Sequence, residues 1–112
     1  MSEEHQGYTN YETFLVATEI VNDRSKLAYW LESGRECIEE LGYEESEFAY
    51  ADSVVELGKH LREHHEAIAD SMTDASVEQS WPQSLLNAAL MRVDWNEIAD
   101  QIITKVREGV TA

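Results

Sequence analysis

Apolar residues recur at helical spacing in five stretches of the chain, and no segment alternates with period two over a strand's length. The first stretch predicts a helix over about 10–23. Thr9 and Glu12 have the spacing of a capping box, with a hydroxyl and a carboxylate satisfying the first free N–H groups. Tyr11, Phe14, Leu15, Thr18 and Val21 share one side, and Val16, Ala17 and Ile20 widen it, so burial on more than one face is expected. Asn22-Asp23-Arg24-Ser25 reads as a short break, with Ser25 as the next cap. A second helix, about 26–41, sets Leu27, Trp30, Leu31, Gly34, Ile38 and Leu41 three and four apart. Gly42 suits the left-handed position past its end.

The third helix, about 46–71, is the longest and would span roughly 39 Å. Phe48, Ala51, Val55, Gly58, Leu61, His65 and Ile68 recur about every 3.5 residues, which predicts a narrow seam for a partner helix. Residues 72–80 are polar and turn-like. Pro82 fits the first turn of a fourth helix, where its missing N–H costs nothing, and Leu85, Leu86, Ala89, Leu90 and Val93 form that helix's apolar face. Asp94 with Glu97 repeats the capping-box spacing ahead of a last helix, about 95–108, that buries Trp95, Ile98, Ala99, Ile102, Ile103 and Val106. The expectation is an all-α fold: a flexible lead over 1–8, then a single domain over 9–110, a compact bundle of four to five helices with one long acidic helix.

Charge changes the picture more than any motif does. Among 112 residues, 23 are acidic and 8 basic, a formal net charge of −15. Such a chain repels nucleic acid and anionic membranes, so direct DNA or RNA binding through a basic face is excluded. One cysteine allows no internal disulfide, and neither a signal peptide nor a membrane span is evident, so a cytoplasmic location inside a host cell is expected.

The acids are not evenly spread. Residues 1–23 carry Glu3, Glu4, Glu12, Glu19 and Asp23 without a Lys or Arg. Residues 43–71 carry eight acids against Lys59 and Arg62. At about 100° per residue, Glu45, Asp52, Glu56, Glu63 and Asp70 fall within roughly 20° of one line along the third helix, opposite the seam. Steps of seven and four residues along a helix are about 10.5 and 6 Å. Duplex DNA carries one charge per roughly 1.7 Å of axis, a density that two acidic helices side by side approach. This pattern suggests DNA mimicry, with carboxylates standing where phosphates would sit. A solvated face laced by pairs such as Glu56–Lys59–Glu63 and Arg62–Glu66, or adaptation to high salt, explains the same charge. Six Asp against seventeen Glu speaks against the salt explanation.

His60-Leu61-Arg62-Glu63-His64 matches the H-x-x-E-H pattern of inverted zinc peptidases, in which two histidines four apart hold a metal beside a carboxylate base. Such enzymes need a further carboxylate ligand on a distant helix and a far larger body. No catalytic residue, resident metal or cofactor is therefore assigned, and no enzymatic activity is expected. His65 falls on the seam as a core-edge histidine, and Cys37 reads as a buried small hydrophobe. Trp30, Trp81 and Trp95 read as core anchors; Tyr8, Tyr43 and Tyr50 suit helix packing or contact area at an acidic interface.

Gly7-Tyr8-Thr9-Asn10-Tyr11-Glu12-Thr13-Phe14, followed by Asn22-Asp23, resembles the N-terminal signature of a group of small phage and mobile-element proteins. Their pattern is Tyr-x-Asn-Tyr-Glu-Thr-Trp, an apolar helix, then Asn-Asp or Asn-Glu; Phe14 stands where Trp is usual. Val93-Asp94-Trp95-Asn96-Glu97-Ile98-Ala99 resembles a second block near their C-terminus. The resemblance implies a viral or plasmid setting and no particular activity. Together with the charge, it leads to the expectation of an anti-defence protein that blocks a host CRISPR effector or restriction enzyme by DNA mimicry. Its contact surface is placed at Glu39, Glu40, Glu44, Glu45, Glu47, Asp52 and Glu56, and its partner is a protein with a basic nucleic-acid-binding groove. The alternative is a non-catalytic interaction protein that dimerises through the third-helix seam.

Overall fold

In the computed structural model the described residues are 7–41, 47–72 and 81–109, and they form five helices and no β-strand. These are α1 (Tyr11–Val21), α2 (Arg24–Leu41), α3 (Glu47–Met72), α4 (Trp81–Met91) and α5 (Trp95–Arg107). Their bounds follow the predicted ones closely. Gly42, Tyr43, the turn over 73–80 and the side chain of Trp81 lie outside the described residues, as do Met1 to Gln6.

The core is one cluster built around α5, which packs against α3, α2 and α1. Trp95, Ile98, Ala99, Ile102 and Ile103 are all buried, as the amphipathic pattern predicts, and Val106 packs against them. They meet Ala17 and Ile20 of α1, Trp30, Leu31 and Cys37 of α2, and Leu57 and Leu61 of α3. Two glycines mark close approaches to α5. A Cβ on Gly34 would sit 3.3 Å from both Ile102 Cγ2 and Ile103 Cδ1, and one on Gly58 would collide with the Asn96 amide oxygen. Trp30 of α2 faces His64 and His65 of α3, while Cys37 lies in the field of Glu56, so the two helices run antiparallel.

Two apolar faces differ from expectation. In α1 the residues pointing inward are Thr13, Ala17 and Ile20, whereas Tyr11, Leu15 and Val21 are exposed. A short helix that is apolar all round carries little phase information, so tertiary contacts choose the buried stripe. In α3 the buried line is Ser53, Leu57, Gly58, Leu61 and Ala69, with Tyr50, Val54 and His65 half-buried. Ala51, Val55 and Ile68 of the predicted seam face solvent instead. Gly58 and Leu61 of that seam are covered from within the chain, because α2, α4 and α5 all pack on α3. Leu85, placed on the apolar face of α4, is likewise exposed.

The caps also differ. Asn10, not Thr9, caps α1: its backbone is extended and its Oδ1 accepts from the Thr13 amide at 2.8 Å. Asp23, not Ser25, caps α2 by accepting from the amides of Ser25 and Lys26. Asp94 caps α5 as predicted, accepting from the Glu97 amide at 3.0 Å. The Glu97 carboxylate does not close a box on its own helix; it accepts from the Thr9 amide at 3.0 Å. Further bonds fasten the start of α1 to the turn before α5. Thr13 Oγ1 donates to Asn10 Oδ1 and accepts from the Asp94 amide at 2.8 Å, Asn10 Nδ2 donates to the Arg92 carbonyl at 2.6 Å, and Tyr8 donates to Gln101 at 2.6 Å. Glu12 and Arg92 add an ion pair at 3.1 Å. Residues 8–13 and 92–101, some eighty to ninety positions apart, thus form one clamp.

Candidate functional site

The antiparallel pairing of α2 and α3 creates a cleft of about 490 Å³ along their outer surface. From α2 it takes Tyr29, Ser33, Glu36 and Glu40, a stripe stepping by four, three and four residues. From α3 it takes His60, Glu63 and His64, and Trp30 and Cys37 also line it. Tyr29, Trp30 and His64 form a ring cluster. Tyr29 meets Trp30 edge-on with centroids 4.9 Å apart, and His64 stands 5.2 Å from Trp30 and 5.8 Å from Tyr29. Trp30 is buried, while Tyr29 is 56% exposed and offers its ring to solvent.

The electrostatics of the cleft are one-sided. Four surface carboxylates outside the cleft have Lys or Arg partners: Glu12 with Arg92, Glu19 with Lys26, Glu32 with Arg35, Glu66 with Arg62. Glu56 lies 3.1 Å from His60 Nε2. Among the described residues none forms an ion pair or hydrogen bond with Glu36, Glu40 or Glu63, and no Lys or Arg lines the cleft. The Cys37 thiol registers that field. Burial first, then the charges of Glu56, Glu40 and Glu36, push its pKa up to about 11, so it is a protonated, inert thiol at neutral pH. The reading of Cys37 as a buried small hydrophobe agrees with its 3% exposure.

Beside the cleft, His65 is half-buried between Trp30 and Trp95, with ring centroids 6.2 and 5.2 Å away. Its Nδ1 lies 2.7 Å from the Leu61 carbonyl, which fixes the ring at the core edge as predicted. Burial lowers its pKa from the usual value, with His64 and Lys26 adding to the shift and the Leu61 carbonyl and Glu19 opposing it. His60 and His64 of the H-x-x-E-H segment both border the cleft. Among the described residues no group of three His, Cys, Asp or Glu side chains is placed to hold a metal ion.

The surface predicted from charge divides in the structure. Glu40 lies in the α2–α3 cleft, with Glu56 near enough to act on the same thiol. Asp52 is exposed on the acidic line of α3, together with Glu63 and Asp70. Glu39 faces the other way, into a groove between α2 and α5 beside Arg35 and Arg107. Glu44, Glu45 and the side chain of Glu47 lie outside the described residues. Tyr29, Glu36 and Glu63 were absent from the predicted contact surface, although the stripe Tyr29-Ser33-Glu36-Glu40 carries a signal for two of them: an aromatic in register with two acids on one helix face.

The chain matches no protein-family model, no curated protein and no solved structure. Among the described residues no helix is long and apolar enough to cross a membrane.

Proposed function

We propose that this protein is a non-catalytic acidic ligand that occupies the nucleic-acid-binding groove of a partner protein, presenting carboxylates where phosphates would lie. The observation that carries this reading is the packing of α2 against α3, which sets Glu36 and Glu40 beside Glu63 on the acidic line of α3, where Asp52 and Asp70 are exposed and Glu56 is half-buried. Two charged helices side by side come nearer to duplex charge density than one stripe does. Fields of opposite sign speed encounter and disfavour partners lacking a basic groove. The resemblance of residues 7–14 to small phage and mobile-element proteins supports an anti-defence setting, in which the blocked partner is a CRISPR effector or restriction enzyme. The structural role found for that block, capping α1 and clamping it to α5, leaves the acidic helices to act as the contact surface.

The test is charge reversal on the α3 line. Cells carrying a restriction or CRISPR system are challenged with phage while expressing the wild type or an Asp52→Lys, Glu56→Lys, Asp70→Lys variant. The wild type should restore plaque formation and the variant should not, with unchanged helical circular dichroism. Equal protection by both rules this surface out.

A further inference from the structure

We propose that His65 is an acid-sensitive latch on the junction of α2, α3 and α5. As a neutral ring it holds the junction closed; on taking up a second proton it leaves its seat, and the junction opens locally. The device is independent of the acidic contact surface proposed above.

The seat suits a neutral ring. Trp30 of α2 lies nearly parallel to His65, at 17° with centroids 6.2 Å apart, and Trp95 of α5 lies at 34° and 5.2 Å. Both indoles are buried, so this half-buried ring is where α3 meets two core anchors at once. Nδ1 lies 2.7 Å from the Leu61 carbonyl, which can only accept, so Nδ1 carries the proton of the neutral form. A second proton goes to Nε2, and among the described residues that nitrogen has no protein acceptor. The surrounding charges supply none. On α3 the neighbour is His64, its ring centroid 5.4 Å away. From α2 come Lys26 and Tyr29, and Glu19 of α1 is already bonded to Lys26. Trp95 is what α5 turns to the ring, and α4 carries no charged residue. Indole faces attract a cation, but a ring half removed from water gives up hydration to sit between them. Burial is the larger effect: it leads the causes that lower the pKa of His65, and His64 and Lys26 add to it. The way out is present, since His65 borders a groove of about 460 Å³ that Ile20, Trp30 and Ile68 also line. A solvated histidine titrates near 6.5, so at pH 5.5 the open form gains a factor of up to about ten over its share at neutral pH.

The experiment follows the intact protein by NMR between pH 7.5 and 5.5. Ring resonances of His65 give its titration, and amide protection factors, corrected for the intrinsic pH dependence of exchange, give the opening. His65 should titrate below 6.5, and protection around Trp30 and Leu61 should fall by up to about tenfold at pH 5.5. Because the opening is local, this added exchange should change little with subdenaturing urea. His65→Phe keeps a ring between the indoles without a titrating nitrogen and should show equal protection at both pH values, whereas His64→Gln should keep the wild-type fall. Titration of His65 at or above 6.5 would overturn the proposal, as would unchanged protection in the wild type. So would an equal fall in His65→Phe, loss of the fall in His64→Gln, or added exchange with the urea dependence of global unfolding. Should His65→Phe not fold, the wild-type titration and the urea dependence decide by themselves.

Discussion

Replacing Thr13 by Val tests whether the clamp between the two ends of the chain holds the fold together. Thr13 is fully buried, and its hydroxyl is the acceptor for the Asp94 amide at 2.8 Å and a donor to Asn10 Oδ1 at 2.7 Å. Valine keeps the shape but offers no acceptor, so the Asp94 N–H is left without its partner at a helix start. An amide stripped of its partner costs about 1–3 kcal/mol. Asn10 Oδ1 still receives the Thr13 backbone N–H, so its loss is the smaller part. Thr13→Ser keeps both bonds and removes only a methyl, worth about 1 kcal/mol in a packed site. The expected order is wild type, then Thr13→Ser lower by about 1 kcal/mol, then Thr13→Val lower by about 2–3 kcal/mol. A loss of about 2 kcal/mol is roughly 8 °C in melting temperature for a domain of this size. Urea unfolding followed at 222 nm measures all three, with an unchanged slope as the sign that the unfolded state is unaffected. A Thr13→Val protein as stable as Thr13→Ser would refute the reasoning, because the amide would then be satisfied by water.

Other consequences concern the core edge, the helix contacts and the thiol. Burial lowers the pKa of His65, so the unfolded chain takes up that proton first: the contribution of His65 is complete above about pH 6.5 and is lost as pH falls below it. Urea midpoints at pH 7.5 and 5.5 should therefore drop more for wild type than for His65→Gln; equal drops contradict the assignment. Gly58→Ala alone is opposed by the Asn96 side chain, but the Asn96 Cα would be an ordinary 3.5 Å from the new methyl. In an Asn96→Ala background the substitution should therefore stabilise by about 0.5–1 kcal/mol through helix propensity, and a thermal melt showing a loss would mean that the α3 and α5 backbones are too close for any side chain. Cys37, buried with a pKa near 11, should react with a thiol reagent at pH 8 only as fast as the protein opens, and rapid labelling of the folded chain would contradict its burial.

Sequence patterning located all five helices because each carries helical periodicity and the four breaks between them carry turn or cap residues. It worked best for α5, where six apolar positions fall on one stripe with acids and lysine on the other side, so only one face can turn inward. It misassigned the buried face of α1, whose apolar residues surround the helix, and that of α3, where Ala51 and Val55 fit a heptad as well as Ser53 and Leu57 do. Gly58, already on the predicted seam, is buried where α5 comes close, whereas the burial of Ser53 is a fact of tertiary packing with no local signature. Thr9 and Asn10 are both good cap residues, and the choice between them follows from Asn10 also reaching the Arg92 carbonyl. The acidic line on α3 was legible because spacing along one helix is fixed by geometry. The cleft was not, because it depends on antiparallel pairing that brings Glu36 and Tyr29 to Glu63 and His64.

The central claim, that carboxylates on α2 and α3 take the place of phosphates in a basic groove, is tested most directly by competition. A partner captured from host lysate and purified is bound to fluorescent duplex DNA, and the protein is titrated in at several salt concentrations. The account predicts complete displacement of the DNA, with an apparent affinity that falls steeply as salt rises. A ternary complex in which partner, DNA and this protein remain bound together, or an affinity indifferent to salt, would contradict it.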